Sequence, residues 1–80
     1  MSAEAIQLNI TAIPWGYLWI DGDSIGLLPR DEAIWTLPGK HQIVLMHPKY
    51  KSLMDSLTFE MGKKFEIRAD FINGTMVASN

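Results

Sequence analysis

Along most of the chain apolar and polar residues alternate one by one, the period of a strand with one face buried. Ile6, Leu8 and Ile10 alternate with Gln7, Asn9 and Thr11. The run breaks across Ala12, Ile13, Pro14, Trp15 and Gly16, because Pro brings no N–H to a ladder and Gly accepts turn dihedrals. A second strand over Tyr17–Asp21 places Leu18 and Ile20 on one side and Tyr17, Trp19 and Asp21 on the other. Asp21 followed by Gly22 is a hairpin signal, since Gly supplies positive φ without steric cost. Ser24–Leu27 then reads as the returning strand, and Pro29 leads into a loop holding Arg30, Asp31 and Glu32.

Ala33–Leu37 predicts another short strand, and Pro38 and Gly39 stand in the order of a type II turn. Lys40–His47, rich in Ile, Val and Leu, predicts a central strand that Pro48 ends. In Ser52–Met61 the side bearing Leu53, Leu57, Phe59 and Met61 is interrupted by Asp55. One end of that strand is therefore expected at a sheet edge or in solvent. A polar turn over Met61–Lys64 follows, and Phe65, Ile67, Ala69 and Phe71 then alternate with Glu66, Arg68 and Asp70 in the most amphipathic strand of the chain. Ile72–Asn80 has no clear period and reads as a frayed tail.

No stretch offers helical spacing of apolar residues over ten positions. Roughly six or seven strands, with turns every 8–12 residues or so, predict an all-β fold: a small two-sheet antiparallel β-sandwich, Ig-like in outline. Residues 1–80 form one domain, its body spanning 6–71 and its tail 72–80. The expected core is Ile6, Leu8, Ile10, Leu18, Ile20, Ile43, Leu45, Leu57, Phe59, Phe65, Ile67 and Phe71.

Composition narrows the functions. A chain of 80 residues has room for one core, with a stability of about 3–5 kcal/mol. Cysteine is absent, which excludes disulfides and thiolate metal sites. The net charge is −2, and Lys49, Lys51, Lys63, Lys64 and Arg68 are interleaved with acids. No basic footprint for nucleic acid results. The apolar run Ile43–Met46 is far short of the ~18 residues that span a bilayer, so no membrane insertion by this chain is expected. The N-terminal residues carry no basic and apolar regions of a signal peptide.

The order of turns resembles a known family. Pro14, Trp15 and Gly16, then Leu18, Ile20, Asp21 and Gly22, then Gly26 and Pro29, then Leu37 to His41, then Ile43, Leu45, Pro48 and Tyr50 are similar to the pattern of the PEGA domain. The resemblance covers about residues 6–71. It implies a small β-sandwich similar to transthyretin-like folds, of the kind found in bacterial and archaeal surface proteins and after kinase domains in bacterial serine/threonine kinases. It implies no chemistry of its own. Two positions depart from the pattern. Tyr17 replaces a small or acidic residue, and Lys49 stands where the family often has Gly before an aromatic. If that position requires positive φ, Lys49 carries strain; otherwise the turn differs here.

Candidate chemistry is sparse. Asp21, Asp23, Gly26 and Glu32 fall at calcium-loop positions one, three, six and twelve, but Ile25 at position five offers no side-chain ligand and Pro29 interrupts the loop. A plain Asp-Gly hairpin is the expectation. His41 and His47 share one strand parity, but at about 3.3 Å per residue they stand too far apart to chelate one ion. Each is expected to bond locally, at a turn end and at a loop end. Asn9 and Asn73 sit in sequon-like triplets that are common by chance. No nucleophile elbow, phosphate loop or kinase signature is present. The expectation is a non-enzymatic module with no cofactor and no metal.

Trp15, Tyr17 and Trp19 share the parity opposite Leu18 and Ile20, so burial of the aliphatic pair turns the aromatics outward. In the competing arrangement Trp15 folds over the end of the sandwich and Trp19 packs beneath a loop. Tyr17 and Trp19, with Trp35 able to join them, form the candidate interaction surface. Rigid surface aromatics suit protein partners, and in an alternative reading they stack on cell-wall glycan. A free strand edge pairing with a partner is a further route to binding. A cell-surface location follows only if a targeted parent chain carries the domain.

Overall fold

The computed structural model describes residues 5–79. Eight strands run in chain order: β1 (Ile6–Ile13), β2 (Gly16–Ile20), β3 (Asp23–Leu28), β4 (Ile34–Thr36), β5 (Gly39–His47), β6 (Tyr50–Phe59), β7 (Phe65–Asp70) and β8 (Thr75–Ser79). They form two four-stranded sheets, ordered β4-β1-β7-β8 and β3-β2-β5-β6. The chain crosses between sheets four times, after β1, β3, β4 and β6. The architecture is the expected all-β sandwich.

The parity rule places the core. Ile6, Leu8, Ile10 and Ala12 of β1 and Ile67 and Ala69 of β7 meet Leu18, Ile20, Ile43, Leu45 and Phe59 of the second sheet, with Leu28, Ile34 and Phe71 completing one cluster. All fourteen are buried. Burying each large aliphatic side chain contributes about 1.5–3 kcal/mol before entropy is counted. Leu57 and Phe65, expected in the core, are only half-buried against it. Leu57 lies on the edge strand β6, and Phe65 begins β7 where the sheet starts, so each lacks a neighbour on one side.

Three further features differ from expectation. The segment read as a frayed tail contains β8, antiparallel to β7 with Arg68 opposite Val77. Its position at an edge explains the missing period: only Met76 packs on the core, and Thr75, Val77, Ala78 and Ser79 stay exposed. Asn80, the last residue of that segment, lies outside the described residues. Secondly, β1 and β7 pair in parallel, from Leu8 opposite Phe65 to Ile13 opposite Asp70, in a sandwich otherwise antiparallel throughout.

The third difference concerns Gly16, whose importance is space rather than dihedral freedom. A Cβ there would stand 2.6 Å from Cε2 of Phe71 and 3.3 Å from the Met46 carbonyl oxygen. The ring of Phe71 thus lies flush on the start of β2. The Asp21–Gly22 hairpin has φ of 53° and 84°, the two positive values of a type I′ turn. Asp55 occupies the inward parity of β6 opposite Ile43 and is exposed, as expected of an edge strand.

Candidate interaction surface

The outer face of the β3-β2-β5-β6 sheet is built by the residues that parity turns away from the core. Tyr17 stands opposite Leu27 of β3 and Met46 of β5. Trp19 stands opposite Ser24 and Val44, and Val44 opposite Met54 of the edge strand. Leu27, Tyr17 and Met46 in one row are 52%, 44% and 43% exposed, and Met54 in the next row is 64% exposed, so each of the four strands brings an apolar side chain to solvent. Trp19 and Val44 are half-buried between them.

The rings touch edge to face. Trp15 and Tyr17 have centroids 5.6 Å apart at 89°, and Tyr17 and Trp19 6.3 Å apart at 60°. This arrangement suits the aromatic quadrupole and holds the rings without a covering loop. Leu18 and Ile20 are buried, so the inward half of the parity argument holds. Trp35 does not join this surface. It is 60% exposed on β4, opposite Gln7, and so lies on the outer face of the other sheet.

One end of the surface continues into a cluster around His47. Its ring lies 4.1 Å from Trp15, 4.8 Å from Tyr50 and 5.6 Å from Phe71. Trp15 therefore folds over the end of the sandwich while still meeting Tyr17. The Lys49 N–H donates to Nδ1 of His47 at 3.0 Å, so the ring proton sits on Nε2, which is buried among the aromatic rings without a hydrogen-bond partner. Lys49 itself has no positive φ; its turn differs from a glycine turn and is closed by this local bond.

The other histidine ties two turns together. His41 donates through Nε2 to the Leu37 carbonyl at 2.7 Å, and its Nδ1 stands 2.5 Å from Oδ2 of Asp21. A carbonyl only accepts and a carboxylate accepts, so both ring nitrogens act as donors and the ring is favoured as imidazolium. The bond to Asp21 accordingly raises the pKa of His41, and the bond to His41, helped by the Gln42 N–H at 2.9 Å, lowers that of Asp21. The expected local bond is thus half the account, because the Asp21 partner lies twenty residues away. No sequence signal pointed to it. Asp21, first in the calcium-like series, has both carboxylate oxygens engaged by these groups. Among the described residues no cluster of three His, Cys, Asp or Glu has the geometry to hold a metal ion.

The opposite outer face is mixed, with exposed Ile13, Trp35 and Val77 scattered among polar side chains. A groove of about 360 Å³ lies along β1 and the loop after β3, lined by Asn9, Thr11, Arg30, Glu32, Glu66 and Arg68 among others. Its cations are engaged: Arg30 with Glu32 at 3.0 Å and Arg68 with Glu66 at 2.7 Å. Asn73, the second sequon residue, donates its amide to Asp70 at 2.6 Å within the β7–β8 turn. Among the described residues no helix is long and apolar enough to cross a membrane.

Comparison with protein family models, with curated protein sequences and with solved structures finds no match to this chain.

Proposed function

We propose that the protein is a non-catalytic binding module, an accessory PEGA-like β-sandwich that docks onto a protein partner through the outer face of the β3-β2-β5-β6 sheet. Such a module fits a longer bacterial chain, a serine/threonine kinase or a surface protein. The observation that carries the reading is the exposed row of Leu27, Tyr17 and Met46, bordered by the row of Trp19, Val44 and exposed Met54. Contiguous apolar surface of this kind marks a contact site, and aromatic residues with Met supply its anchors. The edge-to-face rings of Tyr17 and Trp19 disfavour the glycan alternative, since a sugar needs a ring face laid open.

The test is a double variant, Tyr17→Ser with Trp19→Ser. Partner affinity, measured on whatever protein the native domain captures from cells, is expected to fall roughly thirtyfold, about 2 kcal/mol. Trp35→Ser, on the other sheet, leaves it unchanged. Equal capture by the double variant overturns the reading. A tryptophan fluorescence shift with soluble cell-wall fragments moves it to glycan.

A further inference from the structure

The outer face of the β4-β1-β7-β8 sheet holds a set of side chains that the fold does not use. Gln7, Asn9 and Thr11 are successive outward positions of β1, because Leu8, Ile10 and Ala12, which alternate with them, are buried. Trp35 stands opposite Gln7 on one side, and Glu66 and Arg68 stand opposite Asn9 and Thr11 on the other. Three strands thus bring one indole, two amides, a hydroxyl, a carboxylate and a guanidinium onto one face.

That face is hollowed. The groove of about 360 Å³ has Gln7, Asn9, Thr11, Glu66 and Arg68 in its lining and the loop from Arg30 to Ala33 as its wall. A second hollow of about 280 Å³ lies by Lys64 and Ser79 and shares Asn9 and Glu66 with the first, so the two adjoin at that pair. The larger is within the range of small-ligand clefts, about 300–1,000 Å³. From Gln7 to Thr11 the strand runs about 13 Å, at about 3.3 Å per residue, which is room for more than one sugar ring.

The chemistry of the lining selects the ligand. Arg30, Arg68 and Lys64 are matched by Asp31, Glu32 and Glu66, so the hollows offer no net charge to a phosphate or an acidic polymer. Among the described residues the side chains of Gln7, Asn9 and Thr11 bond to no other protein group. Arg68 and Glu66 hold each other at 2.7 Å, which fixes both heads and leaves further donors on one and acceptors on the other. Donors and acceptors side by side match vicinal hydroxyls, each of which both donates and accepts. Trp35 adds an apolar platform. It is 60% exposed and belongs to none of the aromatic pairs among the described residues, so its ring is free of the edge-to-face contacts that occupy Tyr17 and Trp19. A pyranose ring with equatorial hydroxyls turns its axial C–H bonds, slightly positive, to such a negative ring face.

We propose that this face binds a neutral oligosaccharide, one pyranose ring lying on Trp35 and the hydroxyls of the sugar chain held by Gln7, Asn9, Glu66 and Arg68. The site shares no residue with the Tyr17 and Trp19 surface and does not depend on its role.

NMR chemical shifts of the intact chain test the proposal, with cellotetraose, chitotetraose and maltotetraose each titrated to millimolar concentration. At least one of them is expected to shift the Trp35 indole N–H and the amides of Asn9 and Glu66 saturably, and to leave the Trp19 indole in place. Trp35→Ala is expected to weaken that sugar about tenfold, the top of the range for one aromatic contact. Asn9→Ala is expected to weaken it about threefold, as the loss of one hydrogen bond does. Both side chains are exposed, so a melting midpoint near that of the native protein checks that the variants fold. Saturable shifts with none of the three sugars overturn the proposal, as does binding that Trp35→Ala leaves undiminished. Tighter binding of tetragalacturonate or inorganic phosphate than of the neutral sugars also overturns it. So does a sugar that shifts Tyr17 and Trp19 in place of Trp35, which returns glycan to the other face. Failure of the protein-capture test at Tyr17 and Trp19 leaves the Trp35 shifts standing, so the two readings fail separately.

Discussion

The two sheets share one core yet differ in how apolar side chains are grouped on the face each turns to solvent. The outer face of β4-β1-β7-β8 carries Asn9, Thr11, Glu66, Arg68 and Asp70, with the exposed apolar side chains of Ile13, Trp35 and Val77 scattered among them. The outer face of β3-β2-β5-β6 carries Leu27, Tyr17, Trp19, Val44, Met46 and Met54 at equivalent parity. Folding demands only the inner half of each strand, so stability alone requires no apolar cluster on either outer face. The grouped apolar side chains of β3-β2-β5-β6 add nothing the core needs and raise the risk of aggregation. That asymmetry within one small domain is the reason for assigning recognition to one sheet.

The comparison is broken most completely from inside. Leu18 and Tyr17 are adjacent on β2, one fully buried and the other 44% exposed. Leu18→Ala is expected to remove about 2–5 kcal/mol. In a domain whose whole stability is about 3–5 kcal/mol, chemical denaturation would find much of the variant unfolded and both faces lost together. Substitution of Tyr17 instead costs at most the edge-to-face term of about 0.5–1.5 kcal/mol.

Gly16→Ala disturbs one face selectively. The new methyl meets the Phe71 ring at 2.6 Å, and Phe71 is itself buried. An overpacking loss of about 1–3 kcal/mol is expected, read as a lower melting midpoint. The altered chemical shifts should cluster at Trp15, Tyr17 and His47 and leave Glu66 and Arg68 in place.

The smallest effect depends on pH and sharpens the comparison at the hairpin end of the apolar sheet. His41 has a raised pKa, so its contribution is complete below the ordinary histidine value of 6.5 and fades as pH climbs through the raised value. Asp21 has a lowered pKa, so its contribution is complete above the ordinary 3.8 and fades as pH drops through the lowered value. Asp21→Asn keeps the positive φ accessible and removes the charge. The melting-point gap between native protein and Asp21→Asn is therefore expected to be widest between about pH 4 and pH 6.5. It narrows in alkaline buffer. A gap independent of pH would mean the turn, and not the ion pair, sets the effect.

How much of this was legible in the sequence depends on whether parity or proximity carried the information. Parity placed Leu18 and Ile20 inside and Tyr17 outside, because a strand offers only two sides. It also marked β6 as an edge through Asp55. Proximity was not legible. Trp35 alternates correctly with Ile34, but the chain changes sheets on both sides of β4, and no local signal says which layer a three-residue strand enters. The contact of Gly16 with Phe71 joins opposite ends of the chain, and that of Asp21 with His41 joins two turns, so neither leaves a mark in a short window. β8 escaped for the opposite reason: an edge strand that buries one side chain is too weakly patterned to show.

The parallel pairing of β1 with β7 also constrains how the protein is made. Leu8 must wait for Phe65, near the far end of the chain, before it gains that neighbour. A nascent chain emerging from the ribosome has nearly all its other strands available while the first still holds only the three residues of β4. Such distant closure slows folding. A copy truncated at Gly62 lacks β7 and β8 and has no route to a closed sandwich, so the segment after Gly62 decides whether the strands before it hold together.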